Sequence, residues 1–121
     1  MLNERRLLRA ALNLSLSGDV RLQDSIFIPL TVAGLNPSGS GLYLEWAMRN
    51  WKRLMERYSP SSHMLRTCVS AFSNLTDRGS MAELEAFFKD PSNMRGDIRL
   101  AVGQTLERIS ANIRFMERNS R

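Results

Sequence analysis

Residues 97–119 read DIRLAVGQTLERISANIRFMERN, and this stretch decides the fold class. Its apolar residues recur three and four positions apart, which is the period of an α-helix with one buried face. The pattern therefore predicts a long amphipathic helix from about Asp97 to Asn119. The residues expected on its buried face are Ile98, Val102, Leu106, Ile109, Ile113 and Met116.

The same helical spacing recurs upstream, and the period-two alternation typical of strands is absent. The sequence therefore predicts an all-α fold with at least six helices. The other five are expected at about Leu2–Leu16, within residues 20–34, from Asn36-Pro37 to about Arg57, after Ser59-Pro60 to about Leu75, and from Ser80 to Lys89.

Local signals predict where these helices begin and end. Gly18 can terminate the first helix in the left-handed conformation that glycine tolerates, and Asp19 can cap the next helix. Pro29 lacks an N–H and its ring clashes inside a helix, so residues 20–34 are expected to bend or to split into a short and a longer helix. Ser80 and Glu83 have the spacing of a capping box at the start of the fifth helix.

The third predicted helix carries more apolar and aromatic residues than one contact face needs. This indicates a central helix with neighbours on more than one side. Its stripe consists of Leu44, Met48, Trp51 and Met55, widened by Tyr43, Trp46, Leu54 and Tyr58.

Short connections between successive helices favour antiparallel neighbours. We therefore expect helical hairpins stacked as an α-solenoid of the HEAT or armadillo type, with a compact six-helix bundle as the structural alternative. A chain of 121 residues has room for one modest core, so residues 1–121 are expected to form a single helical domain.

Composition excludes several classes of protein. No apolar run reaches the roughly 20 residues of a membrane span, and the opening NERRLLRAAL has no signal-peptide core, so we expect a cytoplasmic chain with no membrane partner. One cysteine, Cys68, cannot form an intrachain disulfide, and one histidine, His63, lacks partners for a metal site.

The net charge of +5, carried mostly by arginine, raises the possibility of an anionic partner. Glutamates interrupt the arginines, however, and no run of like charges marks a nucleic-acid-binding arm. The pattern favours solvated helix faces over a nucleic-acid interface.

Few residue clusters have the spacing that chemistry needs. His63 and Cys68 are five residues apart on one helix, which turns them about 140° away from each other. Arg21, Gln23 and Asp24 differ, because they lie at the expected bend, where side chains can reach out from the helical stack. Both local capping and contact with a ligand remain open for these three residues.

Six blocks of sequence, in order, resemble the C-terminal helical domain of the aminopeptidase N family, to which the puromycin-sensitive, endoplasmic-reticulum and tricorn-interacting aminopeptidases belong. The resemblance covers nearly the whole chain. The blocks are VRLQD (20–24), NPSGS (36–40), LEWAMRNWKRL (44–54), FSN (72–74), ELEAFFKD (83–90) and LERISANIRFMERN (106–119).

The resemblance implies a HEAT-like solenoid that closes over a separate zinc-binding catalytic domain and forms a chamber that restricts peptide size. The HExxH and GxMEN motifs of that catalytic domain do not occur in this sequence. The chain is therefore expected to be non-catalytic by itself and to hold no cofactor or metal, zinc belonging to the catalytic domain. Its expected partners are that domain and the peptide substrate, with Arg21, Gln23 and Asp24 nearest to the interface or chamber.

The resemblance also implies further helices before Met1, so one face of the first helix is expected to lack its neighbour. Leu7, Leu8, Ala11 and Leu14 would form that face and could support self-association. Two alternatives to the aminopeptidase interpretation are a free-standing helical-repeat adaptor that binds a protein or peptide, and an arginine-rich nucleic-acid binder.

Overall fold

The computed structural model describes residues 2–18, 20–35 and 38–119, and the regular elements in those ranges are all helical. The prediction of an all-α fold is confirmed. The α-helices are α1 (Leu2–Ser15), α2 (Leu22–Ser25), α3 (Phe27–Ala33), α4 (Ser38–Arg49), α5 (Trp51–Arg57), α6 (Ser62–Ser70), α7 (Arg78–Lys89) and α8 (Arg99–Asn119), with 3-10 turns at Ala71–Asn74, Pro91–Asn93 and Gly96–Ile98.

Helix α1 ends one residue before the predicted boundary, and its end is not a left-handed glycine cap. Gly18 does not adopt the left-handed conformation, so that prediction is wrong. The chain instead tightens at the last turn, where the N–H of Leu16 donates to the Asn13 carbonyl at 3.1 Å and that of Ser17 to the Leu14 carbonyl at 3.0 Å. These bonds satisfy terminal carbonyls without a left-handed conformation at Gly18. Asp19, the predicted cap, lies outside the described residues.

The segment containing Pro29 splits into a short and a longer helix, as predicted. Helices α2 and α3 meet at Ile26, and Pro29 is the third residue of α3. The N–H of Leu30 makes the first bond of the new helix, to the Ile26 carbonyl at 3.3 Å. Pro29 therefore sits in a first turn, where its missing N–H costs no intrahelical bond.

The predicted third helix is two helices joined at Asn50. The backbone of Asn50 leaves the helical region, with φ −109° and ψ 15°, and its side-chain amide donates to the Trp46 carbonyl at 2.9 Å. Backbone hydrogen bonds continue on both sides, from Asn50 to Trp46 and from Leu54 to Asn50, each 3.0 Å. The result is a kink rather than a full break. Asn36-Pro37, the predicted start, lies outside the described residues.

Helix α7 begins earlier than predicted, because Asp77 caps it. The Asp77 carboxylate accepts a hydrogen bond from the backbone N–H of Ser80 at 2.8 Å. The Ser80–Glu83 capping box is therefore wrong, and Ser80 occupies the third helical position. Aspartate is among the strongest N-cap residues, and Asp77 caps the helix three residues before Ser80. The predicted end at Lys89 is confirmed.

The buried face of α8 agrees with prediction except at its C-terminal end. Ile98 (in the preceding 3-10 turn), Val102, Ile109 and Ile113 are buried and Leu106 is half-buried, but Met116 is 51% exposed. Residues 114–119 are all exposed, so the last turns of α8 extend past the core even though the apolar spacing continues.

Contacts divide the helices into two groups. Helices α1, α3 and α4 pack against one another, while α6, α7 and the 71–74 turn pack against α8. Aromatic rings connect the groups: Trp51 lies edge-on to Phe88 with ring centroids 5.4 Å apart, and Tyr43 contacts Phe72 at 5.0 Å. Helices α4 and α5 thus lie at the centre of the fold, as predicted for the third helix. The stacked-hairpin solenoid stays a prediction.

A polar cluster holds the turn that leads into α8. Asp97 accepts hydrogen bonds from Arg95 and from the Ser62 hydroxyl, the latter at 2.5 Å. The Arg95 hydrogen bonds, followed by that from Ser62, lower the pKa of Asp97 to about 2. The carboxylate is therefore charged throughout the neutral range, and this cluster is a structural anchor.

Candidate interdomain contact site

The predicted site residues lie at the start of α2. Arg21 has an extended backbone and its carbonyl accepts the N–H groups of Asp24 at 3.0 Å and Ser25 at 2.9 Å. The side chains of Arg21 and Asp24 are exposed, and Arg21 makes no side-chain capping bond at α2. Gln23 belongs to α2, but its side chain lies outside the described part of the structure. The local backbone thus closes the turn by itself and leaves both charged side chains in solvent.

Two residues at the end of α5 hold this turn in place. The Tyr58 hydroxyl and the Ser25 hydroxyl are hydrogen-bonded at 2.6 Å, and the Arg57 guanidinium donates to the Val20 carbonyl at 2.9 Å. Tyr58 is almost fully buried, and burial raises the pKa of its phenol. The phenol thus stays neutral and can remain in the hydrogen bond with Ser25.

Sequence reasoning misses both anchors as site residues. Helical spacing places Tyr58 in the core stripe, which is correct for its ring but gives no hint of the partner of its hydroxyl. The same spacing places Arg57 only at the end of a helix. Their contacts span 33 residues to Ser25 and 37 residues to Val20, beyond the reach of any helical period.

The arrangement presents two exposed side chains of opposite charge, Arg21 and Asp24. Arg21 can present a planar fork of donors to a carboxylate, and Asp24 can accept from a cationic partner. Because the backbone between them is anchored on both sides, an approaching surface would meet these groups in a defined position.

A second feature is the partly uncovered apolar face of α1. Leu7 is 71% exposed and Leu14 is 48% exposed, whereas Leu8 and Ala11 are half-buried and Leu12 is fully buried. Of the four residues predicted to form the exposed edge, Leu7 and Leu14 carry most of the exposure. They are seven residues apart and so lie on the same side of the helix.

The other candidate groups do not form a reactive site. Cys68 is buried, and burial raises the pKa of its thiol to about 12, so the nucleophilic thiolate is strongly disfavoured. His63 is exposed on α6. Among the residues that the structure describes, no three His, Cys, Asp or Glu side chains group as metal ligands would. The donor set present here does not fit a zinc ion.

Comparison with known proteins places the chain in a family. The family described as "ERAP1-like C-terminal domain" matches residues 1–111. This chain belongs to that family. The resemblance to the C-terminal domain of these aminopeptidases is thereby confirmed.

Three relatives of this ERAP1-like C-terminal domain illustrate the match. The chain is 32% identical to endoplasmic reticulum aminopeptidase 1 of Mus musculus over 94 residues, covering 74% of the chain and 10% of the relative. It is 33% identical to the human thyrotropin-releasing hormone-degrading ectoenzyme over 115 residues, covering 93% of the chain and 10% of the relative. It is 27% identical to aminopeptidase M1-B of Oryza sativa subsp. japonica over 107 residues, covering 88% of the chain and 12% of the relative. The chain thus spans about a tenth of the length of such relatives.

No helix in the described ranges combines sufficient length with sufficient hydropathy to cross a bilayer. The names of the relatives include an endoplasmic reticulum enzyme and a mitochondrial one, so a cytoplasmic location stays a prediction.

Proposed function

We propose that this ERAP1-like C-terminal domain is the non-catalytic helical end of a zinc aminopeptidase. In this proposal residues 1–121 form one helical domain, the C-terminal part of a larger solenoid. The observation that carries the proposal is the family match over residues 1–111. The relatives are named as aminopeptidases, and the chain spans about a tenth of their length.

The proposed role is to close a peptide chamber over the catalytic domain and to influence which peptides enter by size. The exposed side chains of Arg21 and Asp24 support this role. Their backbone is held by hydrogen bonds with Tyr58 and Arg57, and two exposed groups of opposite charge suit a contact with another domain or with a peptide. The apolar face formed by Leu7 and Leu14 would pack against preceding helices of the parent protein. Self-association through the same face stays a prediction.

Zinc would be held by the catalytic domain and not by this chain. The polypeptide has one histidine, and its described acidic and sulfur-containing residues do not group as ligands. This chain would orient the catalytic domain and limit the access of long substrates to it.

Adding the purified chain to the catalytic remainder of a matching aminopeptidase tests the proposal. We expect turnover of a long peptide to change while turnover of a short aminoacyl amide stays the same, because only the long substrate would reach the helical domain. Unchanged turnover of both substrates, with no binding between the two proteins, would favour the free-standing adaptor instead.

Arg21→Ala in the intact parent enzyme tests the contact site. We expect a several-fold change in kcat/KM for long peptides and little change for a small amide, since exposed charge contacts contribute about 1 kcal/mol or less. Arg108→Ala is the matched control, because Arg108 is an exposed arginine on α8. An equal effect of Arg21→Ala on both substrates would contradict a role in peptide access.

A further inference from the structure

Helices α1 and α4 form a groove lined by arginine. A cavity of about 390 Å³ runs along α1, and an adjoining cavity of about 240 Å³ lies between α1 and α4; Arg9 and Asn13 line both. The two volumes therefore adjoin, and together they are called the arginine groove. The arginines that line it are Arg5, Arg6, Arg9 and Arg49.

Positive charge in this groove exceeds the negative charge that faces it. Glu45 lies 3.5 Å from Arg5 and 3.5 Å from Arg49, so a single carboxylate is shared by two guanidinium groups. Arg6 and Arg9 form no ion pair with a described carboxylate. The four arginines thus exceed Glu45, the carboxylate described in the lining, by three positive charges, and Arg6 and Arg9 can present their guanidinium forks to an anionic ligand.

The groove also offers neutral donors and acceptors. The side-chain oxygen Oδ1 of Asn13 accepts the Trp46 indole N–H at 3.0 Å, which leaves the side-chain amide N–H groups of Asn13 as donors. The Asn50 amide N–H donates to the Trp46 carbonyl at 2.9 Å, which leaves its own side-chain oxygen as an acceptor. Glu45 adds further acceptor oxygens beside the arginines. A ligand that matches this surface carries donors as well as negative charges.

We propose that this groove binds an extended, acidic segment of polypeptide. Asp or Glu side chains of the segment pair with Arg6 and Arg9, while its backbone N–H groups donate to Glu45 and Asn50 and its carbonyls accept from Asn13. A nucleic-acid backbone supplies acceptors only, and the central carboxylate of Glu45 repels it. The two adjoining volumes, of about 390 and 240 Å³, leave room for more than a single small anion. The inference is independent of the proposed role in a peptide chamber.

Fluorescence anisotropy on the full chain tests the proposal with three probes. These are a labelled ten-residue peptide with alternating Glu residues, the same peptide with Gln in place of Glu, and a single-stranded oligonucleotide of equal charge. We expect the Glu peptide to bind, the Gln peptide to bind much more weakly, and the Glu complex to weaken in about 1 M salt, where the Debye length falls to about 3 Å.

Variants locate the binding surface. The double variant Arg6→Ala, Arg9→Ala should raise Kd for the Glu peptide by about tenfold, because two exposed charge pairs are lost. The double variant Arg66→Ala, Arg108→Ala removes the same net charge from exposed positions on α6 and α8 and should leave Kd nearly unchanged. Alanine favours helix, so both variants should keep the wild-type circular dichroism spectrum. Arg9→Lys should retain more affinity than Arg9→Ala.

Three results would overturn the proposal. The first is no binding of the Glu peptide at low salt. The second is equal weakening by both double variants, which would show attraction to net charge alone. The third is tighter binding of the oligonucleotide with the same dependence on Arg6 and Arg9, which would assign the groove to nucleic acid.

Discussion

Trp51→Ala is expected to lower the free energy of unfolding by about 3 to 5 kcal/mol, a large share of the ~5 to 15 kcal/mol typical of a domain. Trp51 is 1% exposed. Its ring packs edge-on against Phe88 and Phe87, with centroids 5.4 Å and 6.0 Å away, and its indole N–H donates to the Asn93 carbonyl at 2.8 Å. Alanine would leave a cavity between α5 and α7 and would remove the donor to the Asn93 carbonyl in the 3-10 turn Pro91–Asn93.

Urea unfolding followed by circular dichroism measures this loss. Phe115→Ala is the control, because Phe115 is 58% exposed on the outer part of α8 and its loss should change stability by about 0.5 kcal/mol or less. Trp51→Phe should fall between the two, since it keeps an aromatic ring but loses the hydrogen bond to Asn93. Unchanged unfolding of Trp51→Ala would show that Trp51 does not belong to the core.

The burial of Trp51 could be predicted because the core signal is local. Apolar residues repeat at helical spacing on both sides of Trp51, and such repetition identifies a buried face without knowledge of its partners. The prediction fails at Met116 for the same reason. The apolar spacing continues to the end of α8, but residues 114–119 are all exposed, so the spacing alone does not show where burial stops.

Helix ends are harder to predict than helix faces. Asp77 and Ser80 are both good capping residues of similar strength, and α7 is capped by Asp77, the upstream one of the two. At Gly18 several chain endings are compatible with the sequence, and the chain takes the one that needs no positive φ. Competing local signals of similar strength cannot be ranked without the tertiary contacts.

The candidate sites depend on contacts between distant residues. The bend in the chain and the family resemblance point to the exposed Arg21 and Asp24, but the anchoring by Arg57 and Tyr58 is invisible in the sequence. The arginine groove is similar, since Arg9 and Arg49 meet only because α1 packs on α4. Charge counting indicates an anionic partner but cannot locate it.

Gly39→Ala is expected to destabilise the fold by about 1 to 3 kcal/mol through overpacking. Gly39 is buried in α4, where this helix crosses close to the end of α3. A Cβ added there would overlap the Val32 carbonyl oxygen and lie 2.8 Å from the Leu35 Cβ. Most of the obstructing atoms belong to the backbone, which cannot rotate away as a flexible side chain can. Helices α3 and α4 would therefore have to separate.

Gly41→Ala is the matched control two residues further along α4. Gly41 is exposed, and a Cβ there would meet no atom within 4 Å. Alanine should therefore stabilise α4 by about 0.5 to 1 kcal/mol, because it lowers the entropy of the unfolded chain and favours helix. Thermal unfolding should thus shift in opposite directions for the two variants, by on the order of 10 °C downward for Gly39→Ala and a few degrees upward for Gly41→Ala. Upward shifts for both would mean that α3 and α4 do not approach as closely as described, and that Gly39 is an ordinary helical glycine.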